Sequence, residues 1–143
     1  MKKIEKSVFN RLIGVWETRG TILRDNINSK LVGIDSYEFI LEGNYILHKA
    51  NVIMGDIKSE TFEIIELDNS FEQGKMYYYN SNGEKGLMRA SLYEDAFIIK
   101  GDNLKFEGSL KEEDTLLIGK WYLLSKDDEW IEFIDLKLTK FGV

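Results

Sequence analysis

The spacing of the hydrophobic residues along the chain changes once, close to Val15. Before this point, five apolar residues recur at the three- and four-residue spacing of an amphipathic helix: Ile4, Val8, Phe9, Leu12 and Ile13. The spacing predicts a short helix over residues 3–12, which we expect to lie across one opening of a barrel. After this point, apolar and polar residues alternate almost to the end, as they do in β-strands that bury one face.

Polar and glycine-rich breaks divide the alternating region into about ten predicted strands. The breaks include Asp25-Asn26, Glu42-Gly43-Asn44, Gly55-Asp56, Asp68-Asn69, Glu94-Asp95 and Lys126-Asp127-Asp128. They place strands at residues 15–24, 31–41, 45–54, 57–67, 74–80, 84–92, 95–100, 103–110, 115–125 and 130–140. Strands joined by hairpins can remove their exposed edges by closing on themselves. We therefore predict an all-β fold, one closed antiparallel up-and-down barrel spanning residues 1–143 as a single domain.

The two ends of this series are predicted to meet around an indole ring. Gly14 and Trp16 form a Gly-x-Trp at the head of the first strand, which predicts that Trp16 plugs one end of the barrel. In the last strand, Lys140 ends the apolar row that begins at Ile134. This position allows the Lys140 ammonium to lie over the Trp16 ring as a cation–π contact.

Alternation also assigns the faces of the third predicted strand. His48, Ala50 and Met54 share its more apolar face, which we expect to be the inner one, and Lys49 and Asn51 lie on the other. In the second strand both faces carry apolar residues, so its inner face stays open.

Composition and charge exclude several classes of protein. The 143 residues contain no cysteine, so a disulfide framework and a thiolate nucleophile are absent, which suits a cytoplasmic protein. No apolar run approaches the ~18 residues of a membrane span. The formal net charge of −6, with lysines scattered among acidic residues, disfavours nucleic acid as a partner. Phosphate-binding loops and metal-ligating motifs are not found either.

Several motifs resemble a known family. They are Leu12-Ile13-Gly14-Val15-Trp16-Glu17, Gly20-Thr21-Ile22, Asp35-x-Tyr37-Glu38-Phe39, Gly43-x-Tyr45-Ile46-Leu47-His48, Gly119-Lys120-Trp121 and Leu136-x-Leu138-Thr139-Lys140. Together they look like a family of small bacterial lipocalin-like, calycin-type β-barrel proteins of unknown function. The resemblance implies a barrel with an internal cavity. It also indicates two departures, because the family pattern tends to carry Asp where Asn51 stands and Arg where Lys140 stands.

One group of polar residues is a candidate catalytic or ligand-binding site. His48 is the sole histidine, and the adjacent strands carry Glu38 on one side and Glu63 on the other. Adjacent strands lie about 4.8 Å apart, so the imidazole would stand between two carboxylates if the registers agree. Two carboxylates could orient the imidazole, shift its pKa and prepare it as a general base. The same arrangement could instead satisfy a buried structural histidine or contact a ligand. A single inner imidazole is also what an axial haem ligand requires, so haem bound through His48 is a further possibility for an otherwise unknown cofactor.

The aromatic residues predict what the interior could bind. One ring of the run Tyr77-Tyr78-Tyr79 must point inward, and Trp121 adds another. Such rings fill a core or line a pocket for an amphipathic molecule. We expect a small apolar or amphipathic ligand contacted by His48, Glu38, Glu63, Tyr78 and Trp121, in a monomer or homodimer. The alternatives are an enzyme of unknown reaction that uses His48 as acid or base, and a filled, non-catalytic barrel that dimerises through its outer strands.

Overall fold

The computed structural model describes residues 3–24 and 27–142, and these form a ten-stranded closed barrel. The strands are β1 (Gly14–Arg24), β2 (Ile27–Ile40), β3 (Tyr45–Met54), β4 (Ile57–Leu67), β5 (Gln73–Asn80), β6 (Lys85–Tyr93), β7 (Ala96–Lys100), β8 (Leu104–Lys111), β9 (Leu116–Leu124) and β10 (Trp130–Lys140). Each strand pairs antiparallel with the next one in sequence, and β1 pairs with β10 to close the barrel. The predicted fold class is confirmed.

The predicted strand positions agree with the structure to within a few residues. The main difference is at β2, which begins at Ile27 and therefore extends four residues further back than the alternation predicts. The predicted turn at Asp25-Asn26 lies outside the described residues. The assigned faces of β3 are correct, because Lys49 and Asn51 are exposed while His48, Ala50 and Met54 line the interior.

The N-terminal segment differs from the single helix that its spacing predicts. It forms two 3₁₀ helices, Ile4–Lys6 and Val8–Leu12, which we call the cap. Ser7 separates them in an extended conformation, with φ −98° and ψ 174°. Its hydroxyl accepts a hydrogen bond from the Phe9 amide at 3.1 Å and donates to the Ile4 carbonyl at 2.6 Å. Serine side chains that bond the nearby backbone compete with the helix, which explains the interruption.

Apolar residues of the cap, together with Trp16 of β1, close one end of the barrel. Ile4, Phe9, Leu12 and Trp16 are all 0% exposed. The Trp16 indole nitrogen donates to the Leu12 carbonyl at 2.9 Å, which joins the first strand to the cap. Burying these large side chains stabilises the closed end by about 1.5–3 kcal/mol for each residue.

Lys140 completes this closed end. Its Nζ lies 4.8 Å from the centre of the Trp16 ring and donates to the Arg11 carbonyl at 3.1 Å. Burial lowers the pKa of Lys140, against a weaker opposing effect of the Asp114 charge. Gly14 makes room for the lysine stem, since a Cβ at position 14 would lie 3.1 Å from Lys140 Cδ and its φ of +140° disfavours other residues.

Polar contacts attach the cap to the turns around it. The Glu5 amide donates to the Gly43 carbonyl in the β2–β3 turn at 3.2 Å. Arg11 reaches two further turns, with 2.8 Å contacts to both Asp95 and Asp114. The cap therefore spans the barrel from the β2–β3 turn to the β8–β9 turn. In the described part of the chain, no helix has the length and apolar character needed to cross a membrane.

Candidate ligand-binding cavity

The end of the barrel opposite the cap contains an internal cavity of about 500 Å³. Its walls differ in character. Strands β2 to β5 contribute the polar wall, which includes Asp35, Tyr37, His48, Glu63 and Tyr78. Strands β6 to β10 contribute the apolar wall, which includes Met88, Phe97, Ile99, Phe106, Trp121, Leu136 and Leu138. Asn82 and Glu84 in the β5–β6 turn are exposed and also line the cavity, so its mouth opens there.

The strand register brings the polar wall together. Tyr37 pairs with His48, His48 with Glu63, and Glu63 with Tyr78, so four inner residues form one row across β2 to β5. Directly opposite residues on neighbouring strands hold their side chains within contact distance. A row below, toward the cap, is apolar and includes Ile46 and its partners on β4 and β5. The polar row therefore stands between an apolar floor and the open cavity.

His48 is held between two carboxylates. Its Nε2 is hydrogen-bonded to Asp35 Oδ2 at 2.6 Å, and its Nδ1 is hydrogen-bonded to Glu63 Oε1. The Thr18 hydroxyl donates in turn to the other oxygen of Asp35. Ionised carboxylates only accept hydrogen bonds, so both ring nitrogens carry protons when Asp35 and Glu63 are ionised. The histidine is then an imidazolium.

The pKa of His48 agrees with this protonation. Burial by itself lowers it, but the charge of Glu63 and the hydrogen bonds to both carboxylates outweigh burial and raise the pKa to about 10. The group of Asp35, His48 and Glu63 therefore carries a net charge of −1 at neutral pH when both acids are ionised. Partner hydrogen bonds of this kind offset the desolvation of buried charges.

Tyr37 covers one face of the imidazolium. The two rings are parallel within 3°, with centroids 4.0 Å apart. Burial, and then the nearby charges of Asp35 and Glu63, raise the pKa of Tyr37 well above its ordinary value. Its hydroxyl therefore keeps its proton. The stack fixes the orientation of the imidazole in the plane that reaches both carboxylates.

The expectation that Glu38 flanks His48 is wrong. Tyr37 is the residue opposite His48, so its neighbour Glu38 points to the outer face and is exposed. Asp35 takes the expected place, although no residue pattern within β2 alone distinguishes its two faces. The length of the β2–β3 turn could have identified Asp35. A turn over residues 41–44 pairs Ile40 with Tyr45, and this register places Tyr37 opposite His48.

The other expected site residues line the cavity. Glu63 is 5% exposed, and Tyr78 lies beside it with its ring over Gly86, where a Cβ would be 2.7 Å from the tyrosine ring. On the opposite wall, Trp121 packs against Phe106 with centroids 5.3 Å apart. The structure thus brings His48, Glu63, Tyr78 and Trp121 around one space. Trp16 and Lys140 lie at the closed end.

Two glycines shape the apolar wall. Gly108 and Gly119 face each other on β8 and β9, and the Phe106 ring lies over both. A Cβ on Gly119 would approach Phe106 Cζ to 2.5 Å. The missing side chains let the ring lie flat against the sheet, which keeps volume free in the centre of the barrel.

The geometry at His48 does not support two of the alternatives. A general base needs an unprotonated nitrogen within reach of a substrate, but both nitrogens of His48 are bound to carboxylates and its pKa is raised to about 10. An axial haem ligand needs a free nitrogen for the same reason. The cavity also shows that the interior is not filled by side chains.

Comparisons with known proteins identify the fold. No protein-family model and no curated protein matches the sequence. Among solved structures, Rv2717c from M. tuberculosis is similar with a TM-score of 0.72 and 8% identity over 98% of both chains. The S-type phycobiliprotein lyase CPES from Guillardia theta is similar with a TM-score of 0.67 and 9% identity, over 99% of this chain and 94% of that one. At these identities the likeness is one of fold, a ten-stranded antiparallel barrel of the lipocalin-like kind.

Proposed function

We propose that the protein binds one small amphipathic molecule inside the barrel. The observation that carries the proposal is the cavity itself, which is closed at one end by the cap and presents a polar wall opposite an apolar one. Its volume of about 500 Å³ lies in the range of pockets that bind small molecules. A ligand would place its apolar body against Phe106 and Trp121 and its polar group against the row of His48 and Glu63.

The cost of maintaining the polar wall supports binding over simple core packing. Asp35, His48 and Glu63 are desolvated, and apolar residues of similar volume would often give equal or greater stability. The barrel nevertheless keeps them beside open volume. The phycobiliprotein lyase shares the fold, but at 9% identity its activity does not transfer to this chain.

A pair of alanine substitutions tests the proposal. Ala50 lines the cavity, whereas Ala96 is exposed on the outer face of β7. Titration of the wild-type protein with Nile red, a neutral apolar dye, should give a saturable 1:1 increase in fluorescence. Ala50→Phe should weaken dye binding by at least about tenfold because the ring fills the space, and Ala96→Phe should leave it unchanged.

Two results would contradict the proposal. One is the absence of saturable binding to wild-type protein together with no retained small molecule in native mass spectrometry. The other is dye binding that survives Ala50→Phe in a variant with a wild-type circular dichroism spectrum, because the dye would then occupy another surface.

We also propose a family, a cellular location and an oligomeric arrangement for the protein. The motifs around Trp16 and His48 support membership of the bacterial lipocalin-like family, and the absence of cysteine supports a cytoplasmic location. We propose that binding occurs within one barrel, whether the protein is a monomer or a homodimer, since strands β2 to β10 of the closed barrel surround the cavity.

A further inference from the structure

The charged residues that line the cavity are mostly acidic. Asp35, Glu63 and Glu84 line it, and among the described lining residues there is no lysine or arginine. His48 is the only cation of the polar wall, and both of its N–H groups are already bound to carboxylates. A ligand that enters the cavity therefore meets net negative charge and no free cationic donor.

Two largely buried residues of the polar wall each have one polar atom without a hydrogen-bond partner among the described residues. Glu63 is 5% exposed, and in the described part of the chain only its Oε1 takes part in a hydrogen bond. Tyr37 is 4% exposed, and no hydrogen bond to its hydroxyl is found among residues 3–24 and 27–142. Every fully enclosed side-chain nitrogen or oxygen of the described residues has a partner. Glu63 Oε2 and the Tyr37 hydroxyl must therefore open on the cavity that both residues line.

We propose that the ligand of this cavity carries a protonated amine, which Glu63 Oε2 binds while the Tyr37 hydroxyl supplies a second hydrogen-bonding group on the same wall. This inference rests on the proposed function and specifies its ligand class. The apolar body of the amine lies against Phe106 and Trp121. An ammonium group supplies the N–H donors that an unpaired carboxylate oxygen requires, and the resulting hydrogen bond is charge-assisted.

The same charges reject acidic amphiphiles such as fatty acids. A ligand carboxylate near Glu63 would add a further negative charge to the wall, with no arginine or lysine to compensate for its desolvation. A neutral alcohol can hydrogen-bond to Glu63 Oε2 or Tyr37 without this penalty. The structure therefore assigns an order of affinity: amine above alcohol, and alcohol above carboxylate.

Three probes of equal chain length test this order. Decylammonium, decanol and decanoate are each titrated against the Nile red complex of the wild-type protein at pH 7, below their aggregation concentrations, and dye displacement gives their affinities. Decylammonium should bind at least about tenfold more tightly than decanoate, with decanol between them. Because the comparison uses unmodified protein, it does not depend on the folding of any variant.

Two substitutions then test whether Glu63 and Tyr37 produce this order of affinities. Glu63→Gln should lower decylammonium affinity by about tenfold and change decanol affinity by less than about twofold, because it removes the charge but leaves an amide that can still hydrogen-bond to a hydroxyl. Tyr37→Phe should lower decylammonium affinity by about threefold. Glu60→Gln is the matched control, since Glu60 lies on the same strand but is exposed, and it should leave all three affinities unchanged.

The outcomes distinguish a failure of the amine proposal from a failure of the proposed binding function. If Nile red and decanol bind but decanoate equals or exceeds decylammonium, the amine assignment is wrong and the binding function stands. If none of the four molecules binds, both proposals fail. If decylammonium is preferred and Glu63→Gln folds without reducing that preference, the assignment to Glu63 is overturned. If Glu63→Gln does not fold, the wild-type order and the Tyr37→Phe result decide.

Discussion

Raising the pH from 6.5 to 10 should remove a large part of the stability of this protein through one residue. The pKa of His48 is 6.5 as an ordinary side chain and about 10 in the folded barrel. A group whose pKa is raised by folding stabilises the folded state fully below the lower value, and the stabilisation is lost as the pH rises through the higher one. At about 1.4 kcal/mol for each tenfold change in proton affinity, the difference amounts to about 5 kcal/mol. Whole domains are stable by only about 5–15 kcal/mol.

The assay combines denaturant melts with direct titration of the ring. The free energy of unfolding in urea, measured between pH 6 and pH 10, should fall steadily for the wild-type protein. His48→Gln should be less stable at pH 6.5, because Asp35 and Glu63 lose their cation, but its stability should depend much less on pH. The chain has a single histidine, so its ring ¹⁵N signals need no assignment and report the pKa directly. Asp35→Asn should move that pKa downward.

Two measurements would refute the reasoning. Equal pH dependence in the wild-type protein and His48→Gln would show that the imidazolium contributes no linkage to folding. A ring pKa near 6.5 in the folded protein would show that the two carboxylates do not hold the proton, and the net charge assigned to the polar wall would then be wrong.

Three further predictions concern the closed end and the apolar wall. Trp16→Ala should cost about 3–5 kcal/mol in a urea melt, as large buried truncations do, and a cost below about 1 kcal/mol would contradict its role as the plug. Gly119→Ala should cost about 1–3 kcal/mol because its Cβ would meet Phe106 at 2.5 Å, whereas Ile118→Ala on the exposed face should cost less. Arg11→Ala should weaken cap attachment by about 1–2 kcal/mol, seen as faster amide hydrogen exchange in residues 8–12; unchanged exchange would show that its ion pairs contribute nothing.

The fold was predictable because most strands bury only one face. In β3, the alternation of exposed Lys49 and Asn51 with inward Ala50 leaves one register that hides the apolar residues, and turn residues mark where each strand ends. The helical spacing of the cap predicted which residues are buried but not the type of helix. The interruption depends on the Ser7 hydroxyl and its bonds to the backbone, which the hydrophobic pattern does not record.

The site was predictable only in part. The position of Glu63 follows from its direct pairing with His48. Asp35 was missed because it lies two residues along β2 from the partner of His48, so its contact is diagonal and depends on how far the side chains lean along the strand. The charge state of His48 depends on both acids together and could not be inferred from either one.

The seam between β1 and β10 determines when this barrel can become functional during folding. Every other strand pairing joins neighbours in sequence and can form as a local hairpin, but the Lys140–Arg11 hydrogen bond beside the seam links residues 129 positions apart. Pairings of this range form slowly because a long loop must close first. On the ribosome, β1 and β9 must remain open edges until β10 emerges, so neither cap nor cavity is complete before then. A circular permutant that links the two ends and opens the β5–β6 turn would make β10 and β1 neighbours in sequence and would move the long-range closure to the β5–β6 pair.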